Sequence, residues 1–331
     1  MKKIGLTTTV PIEIWMAGGY LPVDLNNIFV TSANYQKYIE LAERDGFPKS
    51  ICAWIKGLYG VCVDEDIKDI VGVIGGDCSN TKALVDLLEY KGINIFEFSY
   101  PYTRQKEDIK KEMDKIMKQL KVSVKEVEKI RIQLNEVRSI ANELDVMTYK
   151  QDKLTGFENH LILVNCSDFE GDVQEYKKYL LNKKDEAGKR EKIQSSIRLG
   201  YIGVPPMTAD LYDYTETLDS RVVYNEVQRE FAFPRHILAK DIYEQYLDYT
   251  YPYDSKFRIE EIKKQIEIRK LDGLIHYTQA FCHRAIDDII IKANLDIPVI
   301  NIEGDQQNSL DARTKLRLEA FIDMLKDMKE Q

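Results

Sequence analysis

Asp69-Ile-Val-Gly-Val-Ile-Gly-Gly-Asp-Cys78 and Asp272-Gly-Leu-Ile-His-Tyr-Thr-Gln-Ala-Phe-Cys282 are two versions of one local pattern. In each, a short apolar run reads as a strand and ends on a cysteine, and a helical stretch follows. The next strand-like run begins fifteen positions after the cysteine, at Ile93 and at Ile297. A buried parallel strand reads as a near-continuous apolar run. Open α/β sheets place their ligands at the carboxyl ends of such strands. One thiol at that position in each half of the chain suggests a soft-metal site between two lobes.

The pattern extends outward from these turns. Strand-like runs near Lys3–Thr8, Asn27–Thr31, Ile70–Gly75 and Ile93–Phe98 alternate with helical runs near Ile12–Gly18, Asn34–Asp45 and Asn80–Tyr90. The second half repeats the theme, with strands near Arg198–Val204, Arg221–Asn225, Gly273–Tyr277 and Ile297–Ile302. Its helices fall near Ala209–Leu218, Ile259–Lys270, Ala285–Ala293 and Leu310–Met328. Gly5 precedes Pro11 by six residues, and Gly200 precedes Pro206 by the same interval. This alternation predicts an α/β fold of two parallel-sheet lobes facing a cleft.

Between the halves, a charged segment from about Arg104 to Lys150 carries apolar residues at helical spacing, among them Ile116, Leu120, Val127, Leu134 and Leu144. It predicts two long helices packed on the lobes. The polar run Asn182–Lys192 reads as a solvated helix or linker. The expected organisation is an N-terminal lobe over 1–103, a helical connecting region over 104–195 and a C-terminal lobe over 196–331.

At 331 residues the chain exceeds the usual limit for one core. Its 44% hydrophobic and 31% charged residues are those of an ordinary soluble protein. A net charge of −8 argues against a nucleic-acid partner. No apolar run reaches the roughly 18–20 residues that span a bilayer. The start, Met-Lys-Lys-Ile-Gly-Leu-Thr-Thr-Thr, lacks the apolar core of a signal peptide. These features give a cytoplasmic expectation with no membrane partner.

Five widely spaced cysteines do not make a disulfide framework in such a compartment. There is no Cys-x-x-Cys pair, so neither a zinc ribbon nor a simple ferredoxin is indicated. Cys52, in Pro48-Lys-Ser-Ile-Cys52-Ala-Trp-Ile-Lys-Gly57, falls where a loop opens a helix, a position that favours a thiolate. Cys78 is followed by Ser-Asn-Thr, good helix caps, and Cys282 has the same setting. Three thiols in similar turns can converge on one cluster, and thiolates select iron–sulfur clusters or zinc over hard cations. The alternative is inert burial, with each cysteine serving as a small apolar residue. Cys62, ten residues after Cys52, and Cys166, after the strand-like run Leu161–Asn165, read as structural. His276 and His283 flank Cys282 and are candidates for acid, base or supporting donor, with a structural role as the alternative. Glu13, at a helix start, is a candidate for proton transfer or for dipole capping. Glu303 and Asp305 read as caps of the final helix, and Trp15, Trp54 and the tyrosines as core or cleft lining. Neither Gly-x-Gly-x-x-Gly nor Gly-x-x-x-x-Gly-Lys is present, so no nucleotide site is indicated on this chain.

Several of these segments, in order, resemble the 2-hydroxyacyl-CoA dehydratase and benzoyl-CoA reductase family, which includes the 2-hydroxyglutaryl-CoA dehydratase D-component and the double-cubane cluster proteins. They are Pro11-Ile-Glu13 with Ala17-Gly-Gly-Tyr-Leu-Pro22, Cys52-Ala-Trp-Ile-Lys-Gly57, Asp77-Cys78 and Asn135-Glu-Val-Arg138. Near the end come Asp272-Gly-Leu-Ile with Phe281-Cys282, Ile297-Pro-Val-Ile-Asn-Ile-Glu303-Gly-Asp305 and Thr314-Lys-Leu-Arg317-Leu-Glu-Ala-Phe321. The resemblance implies flavodoxin-like lobes around an oxygen-sensitive cluster, held here by Cys52, Cys78 and Cys282. It implies a [4Fe-4S] cluster with one open iron, or a double-cubane [8Fe-9S] cluster. The five thiols of this chain fall short of the six that a double cubane is expected to take from one subunit. It further implies electrons from an ATP-dependent iron–sulfur activator, and a homodimer or a heterodimer with a related subunit. The implied chemistry is low-potential radical dehydration or reduction of a small or CoA-linked substrate. A non-catalytic electron-transfer or scaffold subunit, a double-cubane-type reductase of small molecules and a zinc-binding α/β protein are the other readings.

Overall fold

The computed structural model describes residues 1–331. Eight strands form two four-stranded sheets, all parallel. The first contains β1 (Lys2–Leu6), β2 (Tyr20–Asp24), β3 (Asp69–Gly75) and β4 (Asn94–Ser99), in the order β2-β1-β3-β4. The second contains β5 (Ile197–Gly203), β6 (Ser220–Asn225), β7 (Gly273–Gln279) and β8 (Val299–Gly304), in the order β6-β5-β7-β8. The two orders are the same once the strands are numbered within each half. Helices flank both sheets, as two flavodoxin-like lobes require. In each sheet the strand order reverses between the first and third strands, which opens a crevice at their carboxyl ends. Cys78 follows β3 and Cys282 follows β7, so both cysteine turns lie at these crevices.

The strands at the centre are buried on both faces. Ile70, Val71 and Val73 in β3 and Leu274, Ile275 and Tyr277 in β7 are inaccessible to solvent. The segment expected to be helical forms two helices, Lys106–Leu120 and Val124–Lys150. Ser123 and Glu126 close a reciprocal capping box at the start of the longer one. Its buried face, including Val127, Leu134, Val137 and Leu144, joins one continuous core with Ile4, Val71 and Phe98 of the first sheet and Phe231 and Tyr246 from beyond the second sheet's edge. The polar run near Asn182 is the exposed end of the helix Val173–Lys189.

Three local expectations are corrected. Asn27–Thr31 is helical, within Leu25–Thr31, and the strand is Tyr20–Asp24 instead. The Asp24 carboxylate accepts from the Asn26 N–H and caps that helix, and Pro22 is tolerated because β2 lies at the sheet edge. The run Leu161–Asn165 is not a strand. It ends the helix Gly156–Val164, which a Thr155/Glu158 capping box initiates. The final helix, Ala312–Glu330, is capped by Asp311, whose carboxylate accepts from the Thr314 N–H at 2.6 Å, so Glu303 and Asp305 do not cap it.

Close approach of the two halves demands glycine at one point. Gly76 has φ +92°, and a Cβ there would lie 2.6 Å from the Pro252 carbonyl oxygen and 2.7 Å from Tyr100 Cβ.

Candidate functional site

The cleft between the lobes holds a partly open cavity of about 110 Å³. From the first half its wall takes Thr7–Thr9, Asp24, Asn26, Cys52, Trp54, Asp77 and Cys78. From the second it takes Val204, Pro205, Tyr251, Gln279, Cys282, His283 and Arg284. The structure thus brings Cys52, Cys78, Cys282 and His283 to one wall.

The three cysteines reach it by one local device. Cys52 is the residue before the helix Ala53–Asp64, Cys78 follows β3 and precedes the helix Thr81–Tyr90, and Cys282 precedes a 3₁₀ turn, His283–Ile286. In each case the N–H two residues on, from Trp54, Asn80 or Arg284, points at the sulfur and favours its anion. A turn of successive N–H groups is a ready anion cradle. Opposing this, burial pushes the Cys52 thiol up to about 11, with Cys282 adding to the rise. Burial pushes Cys78 up to about 12, reinforced by Asp77 and by both other thiols, and burial also raises Cys282. The three sulfurs sense one another's charge. As bare thiolates they would repel, and a shared cationic centre would relieve that repulsion.

Cys62 and Cys166 differ. Burial alone pushes Cys62 up to about 12, with no neighbouring thiol or cradle. Burial also pushes Cys166 up to about 12, and its thiol donates to the Ile162 carbonyl at 3.3 Å inside the main core. Neither lines the cavity.

No three His, Cys, Asp or Glu side chains are set around one point as a single metal ion requires. The thiols of Cys52, Cys78 and Cys282 all belong to residues that line the cavity. Thiolates are donors that iron–sulfur groups and zinc take, and Cys52, Cys78 and Cys282 are the residues of this cavity that could hold such a group.

His283 stands at the cavity edge, open to solvent on one side, and partial desolvation of its ring and the Arg284 charge lower its pKa. His276 lies apart from the cavity. It is fully buried in β7 with Nδ1 3.0 Å from Asp288. Glu13 is also outside the wall. It is fully buried, its Oε1 accepts from Arg138 at 2.5 Å and its Oε2 from the Tyr246 hydroxyl at 2.8 Å. Burial works against the Arg138 charge, but Glu13 and Tyr246 outweigh it and raise its pKa. Trp15 is core, edge-on to Tyr20 and Phe96, whereas Trp54 lines the cavity and donates to Asn26 at 2.5 Å.

Asp24, Asn26 and Arg284 were not singled out as cavity residues in the sequence, and Tyr251 was not distinguished from the other tyrosines. Arg284 lies 4.0 Å from the Tyr251 ring centre. Only Arg284, two positions after Cys282, carried a proximity signal. Asp24 and Asn26 were masked by the misplacement of β2.

A family model for the D-component of 2-hydroxyglutaryl-CoA dehydratase matches residues 7–325. The chain belongs to this D-component family. The match takes in every strand after β1, all five cysteines and the helices between the lobes, and the chain is therefore a component of the 2-hydroxyacyl-CoA dehydratase family. No curated protein matches the chain. No helix of this D-component relative is long and apolar enough to cross a membrane.

Proposed function

We propose that this D-component-family chain is an iron–sulfur enzyme component that carries out low-potential dehydration or reduction of a small or CoA-linked substrate, with Cys52, Cys78 and Cys282 as the cluster ligands. The observation that supports it most is that three thiols from both lobes, each in a backbone N–H cradle, line one cavity. Three thiolates on a [4Fe-4S] group leave one iron open, and the bound group supplies single electrons at low potential and a site for an oxygen-bearing ligand.

The chain's own residues bind and orient. The cradles at Trp54, Asn80 and Arg284 hold the thiolates, and the apolar wall of Ile55, Leu58, Val227 and Phe231 limits water. His283, whose pKa is lowered by its partial burial and by the Arg284 charge, stands at the edge where a proton can be exchanged with a substrate. Glu13 acts at a distance, by fixing Arg138 and Tyr246 in the frame behind the cavity. Electrons come from a separate ATP-hydrolysing activator, since the chain has no phosphate-binding loop of its own, and the working unit is a dimer with itself or a related subunit.

The test is anaerobic reconstitution with iron and sulfide. About four irons per chain are expected for a single cubane and about eight for a double one. Cys52→Ala, Cys78→Ala and Cys282→Ala should each lose iron and the visible absorbance of the cluster, while Cys62→Ala keeps both. Full iron content in the Cys78→Ala and Cys282→Ala variants would refute the ligand assignment.

A further inference from the structure

Resting on the functional reading above, we propose that the carboxyl pair Asp24–Asp168 is a second proton source of the cavity beside His283, with Asp24 as the member that exchanges the proton with a bound molecule and Asp168 as its link to solvent.

Asp24 ends β2, beside Leu6 of β1 in the parallel register, and therefore sits at the carboxyl edge of the first sheet, where its side chain enters the cavity wall. It is only 4% exposed, whereas Asp168 is half-buried. The Asp24 N–H donates to Asp168 Oδ2 at 2.8 Å, tying the two residues across 144 positions of sequence. The Asp24 carboxylate is held by the Asn26 N–H at 2.9 Å and by the Asn26 carboxamide at 2.8 Å. That carboxamide also accepts from Trp54, so two further wall residues fix its orientation.

Neither carboxylate has a cationic partner. The groups that face the pair are Asp77 beyond β3, Glu170 beside Asp168 and the Cys166 thiol, and none brings positive charge. Two buried carboxylates without a cation do not both ionise easily, so one proton stays on the pair. Burial raises both, and Asp24 helps to push Asp168 up to about 7.

A second feature of the same wall points to a ligand. The Tyr251 hydroxyl, 2% exposed, has no hydrogen-bond partner although its residue lines the cavity. A buried hydroxyl left unpaired costs about 1–3 kcal/mol, and a bound oxygen atom would satisfy it. The proposed step is a proton transfer. The Asp24 O–H bond breaks with its electron pair left on the carboxylate. The proton bonds to a lone pair on an oxygen of the bound molecule, and the carboxylate regains a proton from water through Asp168.

Two measurements test it. Infrared titration of the cluster-free protein should show one protonated carboxyl losing its proton near pH 7. Asp168→Asn should remove that step, and Asp24→Asn, which keeps the helix cap, should move it to lower pH. A wild type with no carboxyl step near neutrality overturns the pairing. In reconstituted protein, the cluster potential should fall by about 59 mV per pH unit above that pKa, as one proton enters with each electron. It should be independent of pH in Asp24→Asn. A pH-independent potential in the wild type overturns the exchange with the cavity. Failure to take up iron would overturn the functional reading alone and leave the infrared result standing.

Discussion

Removing the Glu13 carboxylate should destabilise this protein severely, and the structure sets the scale. Glu13 and Arg138 are both fully buried, Glu13 is the one carboxylate that the Arg138 guanidinium meets, and Arg138 Nε has no hydrogen-bond partner. In Glu13→Gln the guanidinium keeps its charge in a site that no longer neutralises it, and the Tyr246 hydroxyl loses a carboxylate acceptor. Breaking a buried pair from one side costs about 3–5 kcal/mol. That is a large share of the roughly 5–15 kcal/mol that holds a folded protein together. With an m-value of about 3 kcal/mol/M, the urea midpoint of the cluster-free protein should fall by roughly 1–1.7 M. Replacing both partners, as Glu13→Leu with Arg138→Met and Tyr246→Phe, removes the charges together and should recover most of the loss. A Glu13→Gln midpoint within roughly 0.2 M of wild type would refute the pair as a structural element. So would a multiple variant no more stable than the single one. If instead Glu13→Gln were stable and only turnover suffered, Glu13 would have a direct chemical role.

Other outcomes follow from the same contacts. Burial pushes the His160 imidazole down to about 4, so the folded state binds fewer protons than the unfolded state between about pH 6.5 and pH 4. His160 therefore contributes stability at neutral pH that is lost as pH falls through this window, about 3 kcal/mol in all. His160→Gln should flatten that acid limb in urea titrations at successive pH values, and an unchanged slope would count against it. Asp168 works in the opposite sense. Its raised pKa makes the folded state bind more protons between about pH 4 and pH 7, so its contribution is lost as pH rises through about 7, and Asp168→Asn should be less sensitive to that rise. Gly76→Ala should cost about 1–3 kcal/mol or more, because its left-handed backbone and the Pro252 carbonyl leave no room for a Cβ. It should also lower iron uptake by separating the cysteine turns, and normal uptake would show that the lobes tolerate the shift. Cys166→Ala should retain iron with a loss of about 1–2 kcal/mol, measured by iron analysis and urea unfolding.

Much of the fold was legible because the signals are local. The apolar runs before Cys78 and Cys282 carry strand character on their own, and the helical periodicity of 106–150 needs no tertiary context. Local signals misled where they compete. Asn27–Thr31 is apolar enough for a strand, yet the Asp24 cap makes it helical, and Leu161–Asn165 has strand-like composition on a helix that begins at Thr155. Among the site residues, Cys52, Cys78, Cys282 and His283 stood out by their place in turns, and all line the cavity. Glu13 stood out equally but faces Arg138 inside the protein, because a helix start says nothing about which long-range partner a side chain meets.

The sequence by itself determined the duplicated β-turn-helix unit, the all-parallel sheets and the placing of a thiol at the end of one strand in each half. These depend on hydrophobic period, capping residues and glycine, which act over a few neighbours. Only the tertiary structure decided that the three thiols share one cavity, that Cys62 and Cys166 stay outside it, and that Asp24, Asp168 and Tyr251 stand beside the site. Those relations join residues up to 230 positions apart in the chain, Cys52 and Cys282 among them. Burial and the charge of neighbours set their chemistry, and both arise only when the two lobes close on each other.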